Sequence, residues 1–312
     1  MKIFTLTLNP AFDVHAEASA FALHRESVAA VTARDAGGKG INISRALSAL
    51  GTENEAFVVL GKENGSEFAA MLLRDGVRYT ALTQEGRIRE NITVHVEGER
   101  ETRLSFRGFA GTDALLDGLE ERLLPRLSAG DVLTFTGSVP TGVTHERIMT
   151  LLMRARARGA QLVLDSKDLS RKDILSLRPA LIKPNEEEVA AYLDGAPSSL
   201  LACADGARAL SLLGVGCAMI SFGGEGALLA ASGHVYVARA PEIKPLSTVG
   251  AGDASVAGFL CAASRGETAD ECLREAVALG TAACLTQGTR PPKREDFDAL
   301  LPQVKVEEVP LM

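Results

Sequence analysis

The chain has 312 residues, 46% of them hydrophobic, enough for one large α/β domain with a full core. Its formal net charge of −7 argues against a nucleic-acid surface, and no run approaches the about 18 uninterrupted apolar residues of a membrane span. The five cysteines, 203, 217, 261, 272 and 284, form no C-x-x-C pair and sit among apolar neighbours, as buried thiols of a reducing compartment do.

Residues 1–8 are too short and alternating for a signal peptide; a first strand over 2–8 and a cytoplasmic protein are expected. Asn9-Pro10 breaks that strand, and residues 12–16 alternate, with Phe12, Val14 and Ala16 on one face and Asp13 and His15 on the other. His15 reads as a surface residue. Gly37-Gly38-Lys39-Gly40-Ile41-Asn42 opens a helix with the apolar stripe Ile43, Ala46, Leu47 and Leu50, stopped at Gly51. It is not a Walker P-loop, because Gly40 stands where Ser or Thr is required and the upstream glycine is missing.

Strands over 54–60 and 78–82 flank a helix over 65–75. From Arg89 to Val96 the chain then alternates strictly, turns at Glu97-Gly98-Glu99-Arg100, and continues as a second strand to Arg107, predicting an antiparallel hairpin. One hairpin face carries Ile92, Val94, Val96, Leu104 and Phe106; the other carries Arg89, Asn91, Arg103 and Arg107. A solvated basic face is the ordinary source of such a pattern, but three arginines on one short hairpin of an acidic protein point to an anionic ligand.

Helices over 113–127, 144–158 and 171–177 alternate with strands over 131–136, 161–165 and 180–182, which predicts a parallel sheet wound on both faces. Ligands of such sheets sit at the strands' carboxyl ends, where Ser138, Asp165, Lys183 and Asn185 fall. Residues 183–193 read as the start of a short helix, with about two of Glu186, Glu187 and Glu188 complementing its dipole. Strands over 217–220, 227–231 and 235–237 follow, the first two joined by Ser221-Phe222-Gly223-Gly224-Glu225-Gly226; the hairpin after these glycines excludes a Rossmann reading. A helix over 268–286 is rich in small residues, Ala276, Ala278, Gly280, Ala282 and Ala283, which allow close core packing, the favoured reading, or a flat purine pocket.

The most informative stretch is Ser247-Thr248-Val249-Gly250-Ala251-Gly252-Asp253, followed by an apolar-periodic run from Ala254 to Leu260. Glycines flanking Ala251 allow a tight turn, and the first amides of the helix behind it form an anion cradle suited to a phosphoryl group. Asp253 is either a helix-start residue or a base taking a proton from an attacking hydroxyl, and the two readings are compatible.

G-A-G-D near the C-terminus resembles the signature of the ribokinase-like (PfkB) carbohydrate kinases, and S-T-V-G-A-G-D resembles their phosphofructokinase and tagatose 6-phosphate kinase branch. The resemblance spans nearly the whole chain: T-L-N-P-A-F-D at 7–13, A-G-G-K-G-I-N at 36–42, T-G-S-V-P-T-G-V at 136–143, L-I-K-P-N-E-E-E at 181–188 and S-F-G-G-E-G at 221–226. It implies a doubly wound, mostly parallel sheet flanked by helices in a single domain over 1–312, with a small β-sheet lid from about 10–34 and 87–108. The implied activity is ATP- and Mg²⁺-dependent phosphorylation of a ketohexose phosphate, first fructose 1-phosphate, with tagatose 6-phosphate or fructose 6-phosphate as alternatives. Uncharged sugars leave the lid arginines without a function.

By the same resemblance Asp253 is the base, assisted by Gly250, Ala251 and Gly252, and the sugar is met by Asp13, Gly38, Lys39, Asn42, Arg89, Asn91, Arg103 and Ser138. Lys39 and the lid arginines are assigned to the substrate's own phosphate. Lys183, Asn185, Ser221, Gly223, Glu225 and Gly226 fall to the nucleotide, with Gln287-Gly288-Thr289 bordering the adenine, and Glu188 orders Mg²⁺ through water. Ser247 departs from the Asp of many members, so any role of that acid is absent here. A sugar-phosphate-binding regulator without turnover is the rival reading; Asp253, the G-A-G turn and N-x-x-E together speak against it. The apolar lid face is expected to be covered by a second subunit in a symmetric dimer.

Overall fold

Strands and helices alternate along the chain as the sequence pattern requires, and the computed structural model describes residues 1–99, 101–193, 195–197 and 199–310. The strands are β1 (Ile3–Thr7), β2 (Ala11–Ala18), β3 (Ala29–Gly37), β4 (Asn54–Gly61), β5 (Tyr79–Gln84), β6 (Arg89–His95), β7 (Thr102–Ser105), β8 (Val132–Thr136), β9 (Gln161–Asp165), β10 (Leu181–Ile182), β11 (Cys217–Ser221), β12 (Ala227–Ala231), β13 (His234–Ala238) and β14 (Val306–Glu308). The helices are α1 (Lys39–Ala49), α2 (Gly65–Arg74), α3 (Asp113–Leu123), α4 (His145–Ala157), α5 (Arg171–Leu177), α6 (Leu200–Leu212), α7 (Ala251–Ser264), α8 (Ala269–Ala283) and α9 (Arg294–Leu300).

Ten strands form one sheet in the order β14-β13-β12-β11-β10-β9-β8-β1-β4-β5. It is parallel from β5 to β11 and antiparallel from β11 to β14. Burial on both faces follows from the period-two geometry of β1, where Phe4 and Leu6 enter one core and Ile3 the other. The first core is closed by α2–α6; the second is closed by the stripe Ile43, Ala46 and Leu47 of α1 together with α7, α8 and α9. No helix among the described residues is long and apolar enough to cross a membrane.

The remaining strands form a second sheet, β3-β2-β6-β7, in which β2 pairs antiparallel with β3 and parallel with β6, and β6 antiparallel with β7. This is the expected lid, and β6–β7 is the expected hairpin; Arg100 of its turn lies outside the described residues. Its apolar face meets the body near Phe12, whose ring stands edge-on to Phe68 at 5.2 Å. Farther out Val94 is buried, while Leu104 is 42% and Phe106 51% exposed.

Several expectations are corrected. His15 is 3% exposed, because its ring stacks on that of His95 and the backbone of Gly288 lies against it. Residues 183–193 form no α-helix; Asn185 bridges to Ser221 and only the turn Val189–Ala191 is helical. Strand β3, α9 and β14 were not anticipated. In β3 the run Ala29-Ala30-Val31-Thr32-Ala33 carries no polar–apolar alternation, and β14 is a three-residue edge strand defined by pairing with β13.

Candidate active site

Two helix N-termini converge at the carboxyl ends of β8 to β11. Helix α1 is capped by Gly38 at φ 127° and α7 by Gly250 at φ 86°, backbone conformations that glycine adopts without strain. Their first amides, free of intrahelical acceptors, line a cleft of about 1410 Å³ with Thr136, Asp165, Lys183 and Ser221. Such a wall favours an anion.

Asp253, in the first turn of α7, is buried, and its Oδ2 accepts from Asn42 Nδ2 at 2.8 Å. Burial raises its pKa from 3.8 to about 6, opposed by Lys39, by the Asn42 bond and by Lys183. A base poised there is ionised at neutral pH yet can hold a proton. Lys39 Nζ contacts both oxygens of Asp165, at 2.8 and 2.9 Å. Burial would lower the lysine's pKa, but Asp165, Asp253 and Glu188 outweigh it and raise it. Lys183 Nζ lies 3.1 Å from where a Cβ on Gly252 would sit, so a second cation faces the turn.

The lid supplies the opposite wall. Asp13 and Asn91 are directly paired across β2 and β6, and Asp13 Oδ1 accepts from Asn91 Nδ2 at 3.0 Å and from Arg103 Nη2 at 2.9 Å. Arg89 donates to the carbonyls of Phe106 and Asn9, and Asn9 Nδ2 donates to Ser138 Oγ at 3.0 Å. Burial lowers the Arg89 pKa, with Asp13 opposing. Arg89 Nε and Asn91 Oδ1 are buried without partners, as groups awaiting a ligand are.

On the third side Asn185 and Glu188 lock each other: Glu188 N donates to Asn185 Oδ1 at 2.8 Å and Asn185 N to Glu188 Oε2 at 3.2 Å. Among the described residues no group of three or more His, Cys, Asp or Glu side chains could hold a metal. Asp165 and Glu188 nevertheless line the cleft, a donor set that fits a hard dication keeping most of its waters.

The cleft therefore brings together Asp13, Gly38, Lys39, Asn42, Arg89, Asn91, Arg103, Ser138, Lys183, Asn185, Glu188, Ser221, Gly223, Gly226, Gly250, Ala251, Gly252 and Asp253. Glu225 is exposed and does not line it, nor does Arg107, which lies beyond the end of β7. Gly288 and Thr289 lie instead between the lid and Gly250. Ala276, Ala278, Ala282 and Ala283 pack in the core as expected, and Ala276 and Gly280 also border the cleft. Ser247 Oγ accepts from Val249 N at 3.3 Å and steadies the turn. Sequence reasoning gave Asp165 no role beyond its place at a strand end; its ion pair with Lys39 joins residues 126 positions apart.

Comparison with known proteins bears on this site. Residues 16–296 match the model of the pfkB family carbohydrate kinases. A 1-phosphofructokinase of Rhodobacter capsulatus is 33% identical over 99% of both chains, and a tagatose-6-phosphate kinase of Staphylococcus epidermidis is 27% identical over 98% of this chain and all of its own. The structure of phosphofructokinase-2 from Escherichia coli in complex with substrates and products superposes with a TM-score of 0.91 at 27% identity, covering 97% of this chain and 99% of that one.

Proposed function

The chain belongs to the pfkB family of carbohydrate kinases, and from that premise we propose that it transfers the terminal phosphoryl group of ATP to fructose 1-phosphate, giving the 1,6-bisphosphate. The tagatose-6-phosphate kinase and phosphofructokinase-2 relatives make tagatose 6-phosphate and fructose 6-phosphate the competing acceptors. The observation that carries the reading is the pairing of a basic lid, Arg89 and Arg103, with the carboxylate of Asp253 in one cleft. An acceptor with its own phosphate suits the first, and its hydroxyl suits the second.

In this reading Asp253 takes the hydroxyl proton as the oxygen attacks. The amides of Gly250, Ala251 and Gly252 meet the charge on the transferring group, since this chemistry depends on positioning and electrostatics. Lys39, held by Asp165 and near enough to Asp253 to shift its pKa, belongs with the reacting phosphoryl group and not with the sugar's phosphate. Asp13 and Asn91 orient sugar hydroxyls, and Ser138 and Asn42 flank them. Asn185 and Glu188 would hold Mg²⁺ through its waters, and the ion would neutralise phosphate charge. Residues 221–226, with Lys183 and Asn185, border the nucleotide. The protein is a cytoplasmic dimer whose exposed lid residues Leu104 and Phe106 meet across the axis.

Arg89→Ala and Arg103→Ala test the substrate class. Each should lower kcat/KM for fructose 1-phosphate about 10- to 150-fold, the worth of a charge-assisted hydrogen bond, and leave the slow phosphorylation of plain fructose unchanged. Arg89→Ala is the cleaner arm, because Arg103 also orients Asp13. Equal losses on both acceptors would return an uncharged sugar to first place.

A further inference from the structure

Arg45 stands on α1 between Ile43 and Leu47 of the apolar stripe, and its side chain is only 1% exposed. Packing alone gives no reason for a charge there, because a buried ion costs more in lost hydration than an apolar side chain of similar volume. Its hydrogen bonds do give one. Nη1 donates to Asp75 Oδ2 at 3.3 Å, at the C-terminal end of α2. Nη2 directs its two N–H groups to the carbonyl of Ala36, in the lid strand β3, and to Asn42 Oδ1 at 3.2 Å.

Asn42 precedes Arg45 by three positions on α1, so the two side chains are neighbours on one face of the helix. The helix itself is held firmly, since a Cβ on Gly40 would meet the carbonyl oxygen of Leu6 in β1 at 2.8 Å. What stays free at Asn42 is its amide, whose oxygen and nitrogen exchange places by a half-turn. A guanidinium has donors only, so the atom facing Arg45 is the oxygen. The nitrogen then faces Asp253 and donates to its Oδ2 at 2.8 Å. Turned over, the amide would set its oxygen against that carboxylate, a contact that repels until Asp253 takes up a proton. We propose that Arg45 is a positioning residue: it holds the Asn42 amide in the orientation that donates to Asp253, and so favours the carboxylate that accepts the substrate's proton.

The charges around the pair leave this bond a separate influence. Asp253 is faced by Lys39 on α1, by Asp165 at the end of β9 and by Lys183 beyond β10. Burial raises its pKa, Lys39 and Lys183 lower it and Asp165 raises it, whichever way the Asn42 amide is turned; the Asn42 bond lowers it in addition. Arg45 is faced by Asp75 from α2, Asp35 from β3 and Asp13 from β2, with Arg74 next to Asp75. Its charge is matched by carboxylates of α2 and of the lid, and its hold on the base runs through one amide.

The role of Asp253 as base rests on the phosphoryl-transfer reading; the orientation of the amide does not. Two measurements keep them apart: the acid limb of kcat/KM for fructose 1-phosphate and, without substrate, the ¹³C titration of the Asp253 carboxyl, assigned by its loss in Asp253→Asn. In the parent that carboxyl titrates at about 6. Arg45→Met removes every donor, and Arg45→Lys keeps a charge for Asp75 but has no second nitrogen for Asn42. Each should raise the Asp253 midpoint by about one pH unit, the worth of a hydrogen bond to an ionised group, and move the acid limb with it. Asn42→Leu should raise the midpoint as much, and combining it with either Arg45 variant should raise it no further, because both act through one bond. The substrate's phosphate titrates near pH 6 in every variant and does not move with them. A role confined to tying α1 to α2 and β3 would lower the unfolding temperature and leave the midpoint in place. An unmoved midpoint, or shifts of Arg45 and Asn42 variants that add, overturns the proposal. If Arg45→Met does not fold, Arg45→Lys and its combination with Asn42→Leu decide. If fructose 1-phosphate is no substrate, the functional reading fails while the carbon titration still decides the part played by Arg45.

Discussion

Replacing Asp253 by Asn tests the base, because that role alone predicts a large loss of turnover, while burial of the carboxylate sets the direction of the accompanying change in stability. Burial raises this carboxyl from 3.8 to about 6 in the folded protein. A group whose folded-state pKa lies above its unfolded value contributes stability that is fully present below the unfolded pKa and lost as pH rises through the folded one. Between pH 3.8 and about 6 that loss amounts to about 3 kcal/mol. The side-chain amide of the Asp253→Asn variant would keep an oxygen for Asn42 Nδ2, now at 2.8 Å from Asp253, and would carry no charge to desolvate. Attraction to Lys39 and Lys183 is already contained in that shift, so a net increase of up to about 3 kcal/mol is expected at pH 7.5. Turnover should fall about 10²- to 10⁴-fold with little change in ATP affinity. Thermal unfolding and steady-state kinetics on the same preparation read both. A variant that retains more than a tenth of the parent turnover would refute the base and leave Asp253 as a helix-start residue.

Activity should rise with pH through about 6 as Asp253 ionises, and Lys39→Met, which removes the largest stabiliser of that carboxylate, should move this limb to higher pH in kcat/KM profiles; an unmoved limb assigns it to the substrate's phosphate. The same variant should impair phosphorylated and plain fructose alike, because Lys39 sits on Asp165 and not among the lid arginines. Glu188→Gln should raise the Mg²⁺ concentration for half-maximal rate about tenfold and leave the sugar KM alone, as read by titration after chelator treatment. Light scattering at micromolar concentration should show a dimer, and Leu104→Asp should dissociate it; a fully active monomeric parent removes the interface.

What could be read in advance was whatever has a local cause. The turns at Gly38 and Gly250 need positive φ, the paired glycines announce it, and the helices behind them follow from apolar periodicity. The basic lid face was legible because strand geometry puts Arg89, Asn91 and Arg103 on one side. The ties across the fold were not. Asn42 reaches Asp253 over 211 positions and Lys39 reaches Asp165 over 126, and no local pattern encodes either. His15 failed for the same reason: period two gives its face, but its burial depends on His95 and on Gly288 near the other end of the chain. The helix expected after Lys183 failed because Asn185 and Glu188 bond each other's backbone and Asn185 is drawn onto Ser221.

The proposed reaction is a phosphoryl transfer whose acceptor already carries a phosphate. The direct measurement is ADP release with MgATP and a panel of fructose 1-phosphate, fructose 6-phosphate, tagatose 6-phosphate, fructose and ribose, each as kcat/KM, with the product's phosphates counted by ³¹P NMR. The expected result is fructose 1-phosphate first, a phosphorylated ketohexose at least about 10- to 150-fold ahead of either plain sugar, and two phosphates on the product. Plain fructose or ribose equalling the best sugar phosphate would contradict it.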